Sequence, residues 1–338
     1  MQIGIDSFVS TVTDPGTGAD VSPVQRVQDL LAEVELADEV GLDSYGIGEH
    51  HRSEYLDSAP AVLLAAAAAR TSTIRLNSAV TVLSASDPVR VFQEFATLDL
   101  LSQGRIDLVV GRGSFTEAFP LFGLDLADYD ELFAEKLDLL LQIRNSPEVT
   151  WSGRHRPPLT GQGVYPRPLQ DPLPIWVGAL GLPLMVAIIG GQPARFRSLI
   201  ELYRQAGQRA GHSRETLKVG LHCFGFVGDT AQQAADDFYP GWAQMFTKIG
   251  KERGFGPPVR AQYDAMCGPD GAFLIGDPQA VATKIARIDD DLGGIARMSL
   301  QMTNVRLAHS NLLHGIELLG TAVAPIVRAA VAGGQPGR

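Results

Sequence analysis

The chain alternates from one end to the other between short apolar runs and stretches with apolar residues at helical spacing, and no linker interrupts the alternation. A strand that is apolar along its whole length must be covered on both faces, and helices returning between parallel strands supply that cover. Residues 3–8 read as a first strand. Residues 24–40 follow, with Val27, Leu30, Leu31, Val34 and Ala37 on one helical face and Gly41 as the stop. Residues 44–48 make a second strand, 60–70 an alanine-rich helix and 75–83 a third strand. Asp87-Pro88 opens the next helix as an N-cap followed by proline at the first helical position, and that helix runs to about residue 101. A fourth strand spans 106–110 and a fourth helix 129–145. Residues 151–172, rich in Gly, Pro and Arg, read as a long loop or small hairpin.

Strands at 174–177 and 184–189, a helix at 196–210 and a strand at 219–227 continue the rhythm. A helix at 230–251, a loop at 254–271, a helix at 278–290, an eighth strand at 297–302 and a closing helix at 307–332 complete it. Eight strands with helices between them predict one α/β unit, a single (β/α)8 TIM barrel with insertion loops over residues 1–330, and a flexible tail at 331–338.

Charge and cysteine usage narrow the function. Lys and Arg number 28 against 38 Asp and Glu, a formal charge of −10. No dense Lys/Arg cluster offsets it, so a nucleic-acid partner is not expected. Cys223 and Cys267 stand far apart without metal-ligand spacing and read as two buried free thiols, suited to a reducing cytoplasm. The N-terminus lacks the basic and apolar regions of a signal peptide. The longest apolar stretches, at 59–69 and 182–189, fall short of the ~18 residues that a membrane helix needs. The expectation is a cytoplasmic protein with no membrane partner.

In a barrel of this kind functional residues sit where strands end and the following loops begin. The second strand ends in Glu49-His50-His51-Arg52, the densest polar cluster in the chain. Adjacent histidines at a strand end point apart and rarely grip one ion, and no partner ligands occupy the matching strand ends, so no metal is expected. One histidine facing the barrel mouth could give or take a proton at neutral pH. The fourth strand ends in Gly111-Arg112-Gly113-Ser114, where glycines let a flat ring or phosphate approach and the guanidinium offers a fork of donors; a plain turn with a solvent-facing arginine fits the same residues. His222, inside the seventh strand, reads equally as a satisfied core histidine or a cavity-lining one. GxxxxGK[ST] and GxSxG motifs do not occur.

Pro88-Val89-Arg90, the run from Asp99 to Arg105 (DLLSQGR), Gly111-Arg112-Gly113, the EHH of residues 49–51, Pro174-Ile175-Trp176-Val177-Gly178 and Leu182-Pro183 together resemble the luciferase-like flavin-dependent monooxygenase family, in the family order and over roughly residues 1–330. The resemblance implies the same barrel fold. It implies an FMN-dependent oxidoreductase that uses reduced FMN and O2 on a small organic substrate, with a separate flavin reductase as partner and a homodimeric assembly. His50 inherits the acid/base role, and Arg112 the anionic phosphate or ring. The bond Ser78–Ala79 or Ala79–Val80 matches a non-prolyl cis peptide under the flavin. Ala79, Val80 and Thr81 with Ile188, Ile189, Gly190 and Gly191 match the flavin shelf, Ser78 is a cofactor-binding residue beside it, and Gly111, Gly113 and Ser114 flank Arg112 in the segment that approaches the flavin and its phosphate. Two alternatives come with it: a deazaflavin-dependent dehydrogenase, and a flavin-binding barrel without turnover.

The sequence departs from the family between the fifth and sixth strands. Only six residues, Gly178-Ala179-Leu180-Gly181-Leu182-Pro183, separate Val177 from Leu184. A parallel crossover takes about a dozen or more. The expectation is a barrel whose fifth helix is missing, with a physical break between Gly178 and Gly181 and with the phosphate-site residues of that segment lost.

Overall fold

Val219–Val227 is buried along its whole length, as a strand covered on both faces must be. In the computed structural model of the protein, which describes residues 1–113, 115–177 and 182–333, it is one of eight principal strands: β1 (Gln2–Ser7), β2 (Ser44–Ile47), β3 (Arg75–Ser78), β4 (Ile106–Gly111), β5 (Ile175–Trp176), β6 (Leu184–Ala187), β7 (Val219–Val227) and β8 (Arg297–Gln301). Parallel ladders join β5 to β4, β4 to β3, β3 to β2, β2 to β1, β1 to β8, β8 to β7 and β7 to β6. This is the cyclic order of the expected barrel. Between β5 and β6 the described residues show no ladder, only a 2.7 Å hydrogen bond from Val177 N–H to Pro183 O, so the wall does not close there.

The helices form where capping signals start them. Ser22 caps α1 (Pro23–Glu39), Asp87 caps α3 (Pro88–Leu101), Thr230 caps α6 (Ala231–Arg253) and Asp277 caps α8 (Pro278–Asp291), each accepting from a first-turn N–H. Further helices are α2 (Pro60–Arg70), α4 (Tyr129–Asn145), α5 (Arg197–Arg209), α7 (Arg260–Cys267) and α9 (His309–Leu318). One contiguous core fills the space between strands and helices.

Four expectations need correction. The third strand does not run unbroken through residues 75–83: it stops at Ser78 and a two-residue strand, Thr81–Val82, resumes beside β4, the Ala79–Val80 peptide between them being cis. The Gly- and Pro-rich stretch 254–271 holds the helix α7, whose Tyr263 is fully buried against Trp242 and Phe273; that apolar anchor outweighs the flanking helix breakers. Cys223 is buried, but Cys267 is only partly so, at the end of α7. The closing helical segment reaches Gly333, into the expected tail. Residues 151–172 do contribute to a hairpin, Glu148–Trp151 against Leu159–Gly163.

The segment His309–Val331 is long and apolar enough by composition to cross a membrane, which the sequence reading did not anticipate; here Leu312, Ile316, Leu319, Val323 and Val327 are buried in the core. No helix lies between β5 and β6 among the described residues, and the expected break at 178–181 lies outside them. One consequence is visible on α5: Arg197 and Arg204 on one flank bind the carbonyls of 291–294, while Leu199 and Leu202 on the opposite flank are exposed. A neighbouring helix would cover that flank in an unbroken ring.

Candidate active site

At the C-terminal ends of the strands lies a cavity of about 620 Å3, walled by Phe8, Phe115, Phe224, Met245, Phe246 and Ile249. The parallel wall brings the loops after β1, β2, β3, β4 and β6 to this one face.

His50 lines the cavity from the loop after β2. Its Nδ1 lies 2.8 Å from Asp57 Oδ2, and its backbone N–H donates to Asp57 Oδ1 at 3.1 Å. Asp57 has no exposed surface; burial pushes its carboxyl above the ordinary range, against the lowering pull of His50. A carboxylate only accepts, so Nδ1 carries the proton of the pair and Nε2 is left for the cavity. Tyr55 stacks on the imidazole at 4.4 Å between ring centres, with Phe8 at 4.7 Å and Phe115 at 5.6 Å. The ring therefore has one orientation and one usable nitrogen.

Glu49 and Arg52 fix the loop that carries it. Glu49 accepts from Val82 N–H at 2.9 Å and meets His51 Nε2 at 3.1 Å. Arg52 reaches Glu54 at 3.0 Å, Glu117 at 2.5 Å after β4, and Glu252 at 2.6 Å near the end of α6, while its guanidinium lies over Phe115. Burial pushes the Glu54 carboxyl up, but Lys248 and Arg52 together hold it at about 2. One cation thus clasps three segments around the mouth.

On the other side, Ser78, Ala79 and Val80 form a ledge that lines the cavity. Gly111 lies behind it: a Cβ there would fall 2.6 Å from Val80 Cγ2, so a side chain would push the ledge outward. Gly113 and Arg112 also line the cavity. Arg112 is half-exposed, pairs with Asp130 and lies over the Tyr129 ring at 5.3 Å, which replaces the simple solvent-facing turn with an ion pair at the rim. Ser114 lies outside the described residues. Ile189 lines the cavity; Ile188 is turned into the core, and Gly190 lies beside Met266 instead. Gly191, in a left-handed conformation, is outside the lining as well.

His222, left open between two roles, takes both: it is buried and it lines the cavity, with Nδ1 2.7 Å from Asp6 Oδ2. Phe8 stacks on it at 5.6 Å. Sequence reasoning missed Asp57, Asp6, Gln301, Tyr55 and Phe115. The signal for Asp6 was a lone carboxylate inside the first strand; Asp57 had none.

Among curated proteins, the uncharacterized protein y4vJ of Sinorhizobium fredii is 32% identical over 174 residues, 50% of this chain and 49% of that protein; the chain spans about half the length of that relative. The limonene 1,2-monooxygenase of Rhodococcus erythropolis is 25% identical over 328 residues, covering 92% of this chain and 84% of the relative. Among solved structures, monooxygenase RslO1 from Streptomyces bottropensis superposes with a TM-score of 0.82 at 23% identity, over 96% of this chain and 99% of that one. The oxygenating constituent of a 3,6-diketocamphane monooxygenase from Pseudomonas putida, in complex with FMN, does so at 0.76 and 20%, over 97% and 98%. An F420-dependent secondary alcohol dehydrogenase reaches 0.74 at 18%, over 97% and 99%. At these identities the structures speak for the fold alone, and that fold is the luciferase-like TIM barrel. The model of the luciferase-like monooxygenase family matches residues 1–293, and the chain belongs to that family.

Proposed function

We propose that the protein is a flavin-dependent monooxygenase that takes reduced FMN from a separate flavin reductase and, with O2, oxidises a small organic substrate in this cavity. The observation that carries the reading is the His50–Asp57 pair, which leaves a single oriented imidazole nitrogen in an apolar, partly closed cavity. Bound reduced flavin supplies the electrons for oxygen activation. The chain's own residues divide the remaining work. Ser78–Val80 and Gly113 offer a surface for a flat ring, with Asn77 Oδ1 beside them, buried and without a hydrogen-bond partner among the described residues. Arg112 offers a cation at the rim for a phosphate. His50 holds or moves a proton at Nε2. The aromatic wall and the Arg52 clasp exclude water. A cavity of this size and lining fits a flavin.

Titration of the purified protein with FMN and with a deazaflavin, each followed by fluorescence, tests the cofactor. Oxygen uptake with a flavin reductase present tests turnover. FMN binding with reductase-dependent oxygen consumption is the expected result. Tight deazaflavin binding without FMN binding would turn the reading to a dehydrogenase, and FMN binding without uptake under any substrate to a flavin carrier. A homodimer, the commonest symmetric assembly, and a cytoplasmic location belong to the same proposal, and light scattering in solution tests the former.

A further inference from the structure

The cavity carries a second histidine–carboxylate pair and buried acceptor atoms that the proposed chemistry leaves unused. Asp6 of β1 stands in register with Gln301 of β8 on one side and with Gly46 of β2 on the other. Residues paired in this way point to one face of the sheet, and Asp6, Gln301 and His222 of β7 all line the cavity. Each is more than nine-tenths buried. Asp6 uses Oδ2 to accept from His222 Nδ1; its Oδ1 and Gln301 Oε1 have no hydrogen-bond partner among the described residues. A Cβ at Gly46 would lie 2.1 Å from Asp6 Oδ1, so only glycine lets the carboxylate sit against β2 in this position. In the tautomer that donates from Nδ1 to the carboxylate, Nε2 of His222 is a third acceptor. Phe8, stacked against that ring, sets its plane.

Asp6, His222 and Gln301 therefore put acceptors on one face of a cavity whose phenylalanine wall is aromatic. A buried acceptor without a donor is costly, so a ligand that brings a donor gains what its analogue without one loses. Sites built this way discriminate far better than apolar pockets do. We propose that the substrate is a hydroxylated aromatic compound whose O–H donates into the Asp6–His222–Gln301 cluster while its ring stacks on the phenylalanine wall. Asp6 is the positioning residue for His222. The proposal rests on the cavity being the substrate pocket of the proposed monooxygenase.

The test is equilibrium dialysis of the full-length protein against 2-naphthol, 2-methoxynaphthalene and 2-methylnaphthalene, which share a ring and differ in the donor. The hydroxyl compound should bind at least about tenfold tighter than either analogue. The ratio should fall towards one in Gln301→Leu, which breaks no hydrogen bond of Oε1, and in His222→Phe. Equal binding of the three probes, no binding of any, or a ratio unchanged in Gln301→Leu would overturn the proposal. FMN affinity and reductase-dependent oxygen uptake are measured on the same preparations. A hydroxyl preference without FMN binding sinks the monooxygenase reading alone, and FMN binding without the preference sinks this inference alone.

Discussion

Asp57 lies wholly buried beneath His50, its Oδ2 2.8 Å from the imidazole Nδ1 and its Oδ1 on the His50 backbone N–H. One carboxyl group thereby sets both the path of the loop and the tilt of the ring that the loop carries. A histidine held at two points presents its free nitrogen to the cavity without searching for the geometry.

Removing that group should therefore cost rate rather than fold. His50→Ala is expected to lower kcat by ~10²–10⁴-fold at saturating reduced flavin while FMN affinity stays within a few-fold of wild type. Stopped-flow turnover beside a fluorescence titration checks both halves. Wild-type turnover in the variant would return His50 to a structural role.

Arg112 pairs with Asp130, and both side chains are more than half exposed, so a phosphate can compete for the guanidinium at little cost. Arg112→Ala should weaken FMN binding by about tenfold or more, with the loss shrinking as salt is raised. Asp130→Asn, which frees the guanidinium, should tighten it. Affinities that move in the same direction in both variants would separate Arg112 from the phosphate.

Gly46 is tightly enclosed: a Cβ would meet Asp6 Oδ1 at 2.1 Å, Asn77 Nδ2 at 2.5 Å and the Ala79 Cβ at 3.0 Å. Gly46→Ala should displace the polar end of the cavity and the ledge together, at about 1–3 kcal/mol in urea unfolding. An unchanged unfolding midpoint would mean that β2 shifts freely against its neighbours.

Asp38, at the end of α1, accepts from the backbone N–H groups of Ser72, Thr73 and Ile74. Partial burial pushes its carboxyl up, but the Thr73 hydroxyl and those amides hold it down, from 3.8 to about 2. A depressed carboxyl stabilises the fold above its ordinary value and loses that contribution as pH falls towards the folded one. Asp38→Asn should cost about 1 kcal/mol at pH 7, reduced by the side chain's partial exposure. The difference from wild type should fade between pH 3.8 and about 2. Urea unfolding across that range measures it; a constant difference would assign the effect to shape rather than charge.

Local patterns in the sequence already determined the order and type of the principal elements. An apolar run reports a covered strand, and Ser22, Asp87, Thr230 and Asp277 mark helix starts, because both signals act within a few residues of themselves. His50 and Arg112 were legible for the same reason: each sits just past a strand end, and strand ends in a parallel barrel share one face. Only the tertiary structure decided what those residues meet. Asp57 finds His50 through the path of a loop, Arg112 finds Asp130 in the first turn of α4, 18 positions on, and Asp6 reaches His222, 216 positions away, through the stagger of the strands. The break of the third strand at Ala79 and the unlinked edges of β5 and β6 were decided in the same way. Strand register and the sharing of buried space depend on every strand of the wall at once, and no window of sequence contains them.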